Sequence, residues 1–415
     1  MSFVTAIKAR AHVVQALRFR DYRLFWCGQL ISVLGFQMLI VAQGWLIYDL
    51  TGSKVQLGLV GLASAVPSIL LNLFGGVVAD KVDIRRLIIV LQSLSALVML
   101  VLATLTLTHL VEPWHLMAVA FLMGAMGAFD GPSRQAIFPH LIQRDAMMNA
   151  VALNSATWQS SRIIGPALAG VLIALVGPAI TFYMAAAGFV VFALFLAAVR
   201  MPRLKRTSST NVFADMVEGL KYIRSNRTFL FLLGMSFFNS FFGMSYIFLM
   251  PVFQKDVLGV GPSGLGVLLG MGGAGALLGT VLVASLGNIR SKGLMLIGGA
   301  VAFGCLLMLF AYSHWFLASL LLVALAGASA SIYLILIQGT LQMLVPNQFR
   351  GRVMGFWGMT YQIMPLGGFQ AGVLATFVGP SLAVALGGLA VVLFALLGAV
   401  RNVRIRRLGT EPASA

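Results

Sequence analysis

One arginine lies deep inside a run otherwise suited to hydrocarbon: "SRIIGPALAGVLIALVGP", residues 161–178, with Arg162 in second place. A guanidinium at bilayer depth costs roughly 2.5 kcal/mol or more, so it demands a polar partner or a water-filled cavity. It sits about twelve residues, or roughly 18 Å, from the nearer start of its helix, too far to snorkel to the surface. Arginine stays protonated in proteins, so any proton that crosses must ride on a carboxylate. Asp130, in the preceding span, is the first candidate, and Asp49, at the end of the first span, is the second. Arg162, Asp130 and Asp49 are therefore a candidate charge network for coupling or cargo contact. A structural reading stands beside it, with Arg162 satisfied by helix carbonyls and by Ser160 or Ser161, and Asp130 acting as a cap beside Gly131-Pro132.

Little else invites bond-making chemistry. There is no metal-ligand spacing, no phosphate loop of the Walker type and no nucleophile–base set, so neither metal, cofactor nor enzymatic activity is expected. His109, His115 and His314 fall at span ends and His140 in a loop, where each reads as interfacial. Cys27 and Cys305, both within apolar spans, read as small packing residues.

The elements that must position these groups follow from composition. The chain is 60% apolar and 9% charged, where a soluble protein carries about 25% charged residues. Runs such as 57–79, 87–107 and 382–400 are each long enough to cross a core of about 30 Å. Backbone in lipid must satisfy itself, so these runs are helices. Twelve spans can be drawn, roughly 22–48, 55–79, 86–109, 114–135, 150–176, 179–199, 228–252, 263–286, 293–312, 315–340, 352–377 and 380–400. With that count both termini share one side, and 25 of the 28 Lys and Arg fall on it. By the positive-inside rule this side, with both termini, is cytoplasmic. The net charge of +17 then reads as a topology signal and an attraction to anionic lipid, not as a nucleic-acid footprint. No cleavable signal peptide is expected, because the first twenty residues are basic without an apolar core.

The longest polar connection, residues 200–227, separates a bundle over 1–199 from a second over 228–415, and should hold a short interfacial helix near 212–223. "AGVLIALVGP" at 169–178 and "AGVLATFVGP" at 371–380 agree at seven of ten positions, 202 residues apart. Two pseudo-symmetric six-helix halves, related about an axis along the membrane normal, account for that match. Gly165, Pro166 and Gly170 in span five, and Pro365 in span eleven, are expected to form close-packed, bent seams between the halves on the outer side. Arg162 has no counterpart, since Met364 occupies its equivalent.

"GGVVADKVDIRRLI", between spans two and three, resembles the loop signature of the major facilitator superfamily. Gly76, Asp80, Lys81, Arg85 and Arg86 match the pattern, while Asp83 replaces the usual glycine. The Gly165-Pro166 pair with Gly170 resembles a shortened form of that superfamily's exporter motif. "FRDYRLFWCGQLISVLGFQMLIVAQGWLIYDLTGS" and "FDGPSRQAIFPHLI" are similar to the branch of enterobactin exporters and macrolide efflux proteins. The resemblance implies an all-α membrane protein with the major facilitator fold, twelve helices and cytoplasmic termini. Asp80 and its basic neighbours would then form a cytoplasmic gate, latching the halves against the start of span eleven. Spans one, four, seven and ten, with their neighbours, would line a cavity. Gln29, Gln37, Met123, Met126, Asn239, Tyr246, Tyr333, Tyr361 and Gln362 are the candidate substrate-binding residues. That mostly neutral wall suits a small amphipathic molecule of drug, macrolide or siderophore class, exported by a monomer through alternating access with proton antiport. An importer or lipid flippase of the same fold, or a non-transporting receptor or scaffold, remains as the alternative.

Overall fold

The computed structural model describes residues 15–200, 212–286, 291–401 and 403–406, with the side chains at 73–77, 79–81, 144, 212–216, 347, 403 and 404 left out. All regular structure among them is helical. Ten of these segments are long and apolar enough to cross a bilayer. Large apolar side chains such as Leu175, Leu278 and Phe377 are exposed, as lipid-facing residues would be. By packing, the chain divides into two compact units, Met1–Gln43 with Val66–Ser209, and Gly44–Ala65 with Thr210–Ala415.

The first unit is built on α1 (Arg20–Thr51) up to Gln43, α2 (Lys54–Lys81) from Val66 on, α3 (Ile84–Leu107), α4 (Pro113–Ile137) and α5 (Met147–Ala198). At 52 residues, α5 would run about 78 Å if straight, far more than one crossing needs. Gly177 breaks it, with φ 81° and ψ 170°, directly before Pro178. That backbone region is essentially reserved for glycine. A core of Tyr22, Phe25, Ile88, Ile137, Phe192 and Leu196 joins α1, α3, α4 and both parts of α5 with Ala150. The Tyr22 hydroxyl and the Trp26 indole donate to the carbonyls of Ala150 and Leu153, at 3.1 and 3.3 Å, which ties α1 to the start of α5.

The second unit holds the peripheral α6 (Val212–Ser225), then α7 (Arg227–Phe238) and α8 (Tyr246–Val252), joined through a π-helical turn at Asn239–Gly243. After another π-helical turn, Phe253–Val257, come α9 (Pro262–Ser285), α10 (Lys292–Ala311), α11 (Phe316–Leu344), α12 (Asn347–Gln362), α13 (Met364–Val378) and α14 (Pro380–Arg401). A one-turn helix, Val403–Arg406, follows. Gly379, which separates α13 from α14 before Pro380, has φ 85° and ψ 159°. The two copies of the repeated sequence thus make the same backbone break at Gly177 and Gly379. Helix α6 docks on α12 through Glu218 and Arg352, 2.9 Å apart, and through the Tyr222 ring stacked on Phe349 at 4.2 Å.

Candidate functional site

The built polar site lies inside the first unit, where four side chains from three helices close a ring of hydrogen bonds. Ser32 of α1 donates from its hydroxyl to Oε1 of Gln92 on α3, at 3.0 Å. Gln92 donates from Nε2 to Oδ1 of Asp130 on α4, also at 3.0 Å. Arg134, one turn along α4, donates from Nε to Oδ2 of Asp130 at 2.6 Å. Its Nη2 completes the ring by donating to the Ser32 hydroxyl at 3.0 Å. An i, i+4 spacing puts Asp130 and Arg134 on one helix face. The guanidinium also sits 4.4 Å from the ring centroid of Phe192, a cation–π contact. The ring is largely closed to solvent: the Arg134 and Asp130 side chains are 9% and 18% exposed. Nη1 of Arg134 is buried without a partner.

The ring balances a buried guanidinium, because Asp130 accepts from both Gln92 and Arg134. Removing one partner of such a buried ion pair costs about 3–5 kcal/mol.

The expected charge trio is not brought together. Asp130 is engaged by Arg134 and Gln92, and Asp49 pairs with Lys255 at 2.9 Å where both are about half exposed. Arg162 is exposed on α5 and has no hydrogen bond or ion pair among the described residues. Helix rotation decides this outcome, and no sequence spacing between helices reveals it. The sequence puts Arg134 at the cytoplasmic edge of span four, drawn as 114–135, and gives it no role beyond topology. In the structure α4 runs on to Ile137 with Pro132 inside it. The signal available was Asp130 and Arg134 four residues apart; Ser32 and Gln92 carried none.

The loop signature is only partly visible. Gly76, Asp80 and Lys81 lie on α2, but their side chains are outside the described residues. Arg85 donates to the carbonyls of Leu196 and Ala197 at the end of α5, groups that a helix C-terminus leaves without intrahelical partners. Asp83, the departure from the signature, is the N-cap of α3 and accepts from the Arg86 backbone N–H at 3.2 Å. Arg86 pairs back to it at 3.5 Å on the surface. Both arginines therefore serve local helix termini here.

The packing residues divide as well. An added Cβ at Gly165 would lie 2.5 Å from Cβ of Gln37, so this glycine lets α1 and α5 approach within one unit instead of sealing a seam between halves. Pro166 and Gly170 are buried beside it. Pro365 opens α13, and its carbonyl faces Gly61 of α2. Of the candidate cargo contacts, Gln29 donates to Asn154 at 2.5 Å inside the first unit. Met123 is buried and Met126 accepts from Ser95. Asn239 and Tyr333 are fully buried, with the Asn239 carboxamide and the Tyr333 hydroxyl unpaired. Tyr246 is buried, Tyr361 packs against Trp357, and Gln362 is exposed.

A family model described as a transmembrane secretion effector matches residues 12–414. The chain belongs to this family of major facilitator superfamily transporters. Members of the family are transporters, not enzymes. The staphyloferrin A transporter of Staphylococcus aureus is 24% identical over 86% of this chain and 90% of its own. The macrolide efflux protein A of Streptococcus pyogenes is 23% identical, covering 92% and 96%. The enterobactin exporter of Salmonella typhi is 25% identical over 94% of each. Among solved structures, a bacterial homologue of the human lysosomal transporter Spinster, in an inward-facing and occupied conformation, superposes with a TM-score of 0.74. It is 13% identical over 94% of this chain and 98% of that one, a likeness of fold alone.

Proposed function

We propose that this protein is a secondary active exporter of small amphipathic molecules from the bacterial cytoplasm, working by alternating access of two six-helix halves and driven by proton antiport. The relatives support export, since three of them are named for siderophores or a macrolide. The twelve-span count takes α5 as two crossings and α12 with α13 as one more, and it puts both termini in the cytoplasm by charge asymmetry. The observation that carries the energy source is the closed ring around Asp130, the carboxylate that lies inside the helical bundle beside a buried arginine. An ionisable pair at that depth marks a proton or ion path by default. Protonation from the outer side would free Arg134, and deprotonation inward would restore the ring, so one proton cycle toggles one packing change.

The test is transport in inside-out vesicles across macrolides, siderophores and lipophilic cations, with and without an imposed pH gradient. Accumulation that collapses with the gradient, and that Asp130→Asn abolishes while the protein stays folded, is expected. Gradient-dependent transport undiminished in Asp130→Asn would remove Asp130 from the proton path.

A further inference from the structure

Helix α5 exposes one side below Arg162 and a different side above it. Arg162 stands midway between Met147 and the break at Gly177, about 22 Å from each at 1.5 Å per residue. At about 100° per residue, Val151, Ser155, Trp158 and Gln159 lie within roughly 60° of Arg162 around the axis. Val151, Ser155 and Trp158 are exposed and Gln159 is half-buried. Beyond Arg162 the same side carries Pro166, Ala169 and Ile173, all buried. Over that stretch Ile164, Leu168, Val171 and Leu175 are exposed, purely apolar and roughly on the opposite side, and only at Val176, next to the break, does the Arg162 side become exposed again. The apolar strip is suited to lipid. The strip with a serine, a glutamine, a tryptophan and an arginine is not, because an arginine facing hydrocarbon at this depth is prohibitively costly. Arg162 therefore stands at the end of an exposed, semi-polar face.

Its positive charge has no answer among the described residues. Every carboxylate whose side chain is described is already engaged: Asp21, Asp49, Asp83, Glu112, Asp130, Asp145, Glu218 and Asp256 each have another partner. We propose that Arg162 is the recognition residue for an anionic group on the cargo, so that organic acids, carboxylates above all, are preferred over cations. This rests on the transport reading above and narrows its cargo class. Ser155 and Gln159 add neutral hydrogen bonds one and two turns away, and the Trp158 ring offers an apolar surface for the remainder of an amphipathic acid. Arginine suits the task because its planar fork binds a carboxylate through two parallel hydrogen bonds.

The experiment uses purified full-length protein in detergent and two dyes that share a xanthene core but differ in charge, fluorescein (anionic) and rhodamine 6G (cationic). Equilibrium binding is read by fluorescence anisotropy. Wild type should bind fluorescein more tightly, and Arg162→Gln should weaken that binding by about tenfold or more, the loss expected for a charge-assisted hydrogen bond. Rhodamine 6G binding should be unchanged or tighter, and Arg162→Lys should retain part of the fluorescein affinity. A thermal midpoint unchanged from wild type controls for folding. Equal weakening of both dyes, no weakening of either, or wild-type preference for rhodamine 6G would overturn the proposal. Binding needs no gradient. A protein that shows the charge preference but never exports would refute the exporter reading and leave this inference intact. One that exports under a gradient without charge preference would do the reverse.

Discussion

Asp130 and Arg134 hold each other in place one turn apart on α4, but the ring is what makes the pair specific. Arg134 uses Nε for Asp130 and Nη2 for Ser32, so two neighbouring donors of one rigid fork serve two helices. A lysine at this position would present a single point charge and could not span both. The ring predicts strong coupling between its charged members. Asp130→Asn and Arg134→Gln should each lower stability by about 3 kcal/mol, because each leaves one charge buried and uncompensated. The double variant should lose less than the sum by 1 kcal/mol or more, which thermal unfolding of the four proteins in detergent measures. Additive losses would show that the two side chains act independently. Arg134 was hidden in the sequence by its place at the cytoplasmic edge of span four, where a basic residue reads as a topology signal. Asp130 was legible as an acid in an apolar span, but not its partner, because inter-helix rotation is not written in any one helix.

At the scale of elements, the sequence is far more explicit. The repeated "VGP" breaks were readable as equivalent points, and their backbones agree: Gly177 at φ 81° and Gly379 at φ 85°. Neither glycine has a neighbour within 4 Å of an added Cβ, so a substitution there meets conformational strain alone. Gly177→Ala and Gly379→Ala should each cost about 1–3 kcal/mol, and by nearly the same amount, since both hold the same disallowed geometry. Gly165→Ala fails for a different reason, because its Cβ would crowd Gln37 on α1. Widening that seam should cost about 1–3 kcal/mol through displaced packing, and Gln37→Gly, which removes the Cβ that is met, should restore part of the loss. A Gly165→Ala protein as stable as wild type would show that α1 and α5 have room to spare. The expectation that Gly165 seals two halves misplaced its partner, since small residues announce a close approach without saying which helix approaches.

For the whole molecule, the informative segment is Gly44–Ala65, which comes from the first half of the chain yet packs as part of the second unit. Consecutive residues of α1 are cross-linked to consecutive residues of a π-helical turn: Tyr48 donates to Asp256 at 2.5 Å, and Lys255 pairs with Asp49 at 2.9 Å. Just beyond, Gly58 and Gly61 of α2 lie against Phe369 and Pro365 of α13. The ion pair is about half exposed and contributes at most about 1 kcal/mol, so it can open and reform at little cost. If the protein works by the alternating access proposed above, this contact parts during each cycle. Once Cys27 and Cys305 are replaced by serine, Asp49→Cys with Lys255→Cys should be bridged by a short bis-maleimide. Bridging should abolish export in vesicles, whereas a monofunctional maleimide at the same two positions should leave at least half of it. Transport that survives the bridge would show that the Asp49–Lys255 contact stays closed throughout the cycle, and the moving boundary would then have to lie elsewhere in the chain.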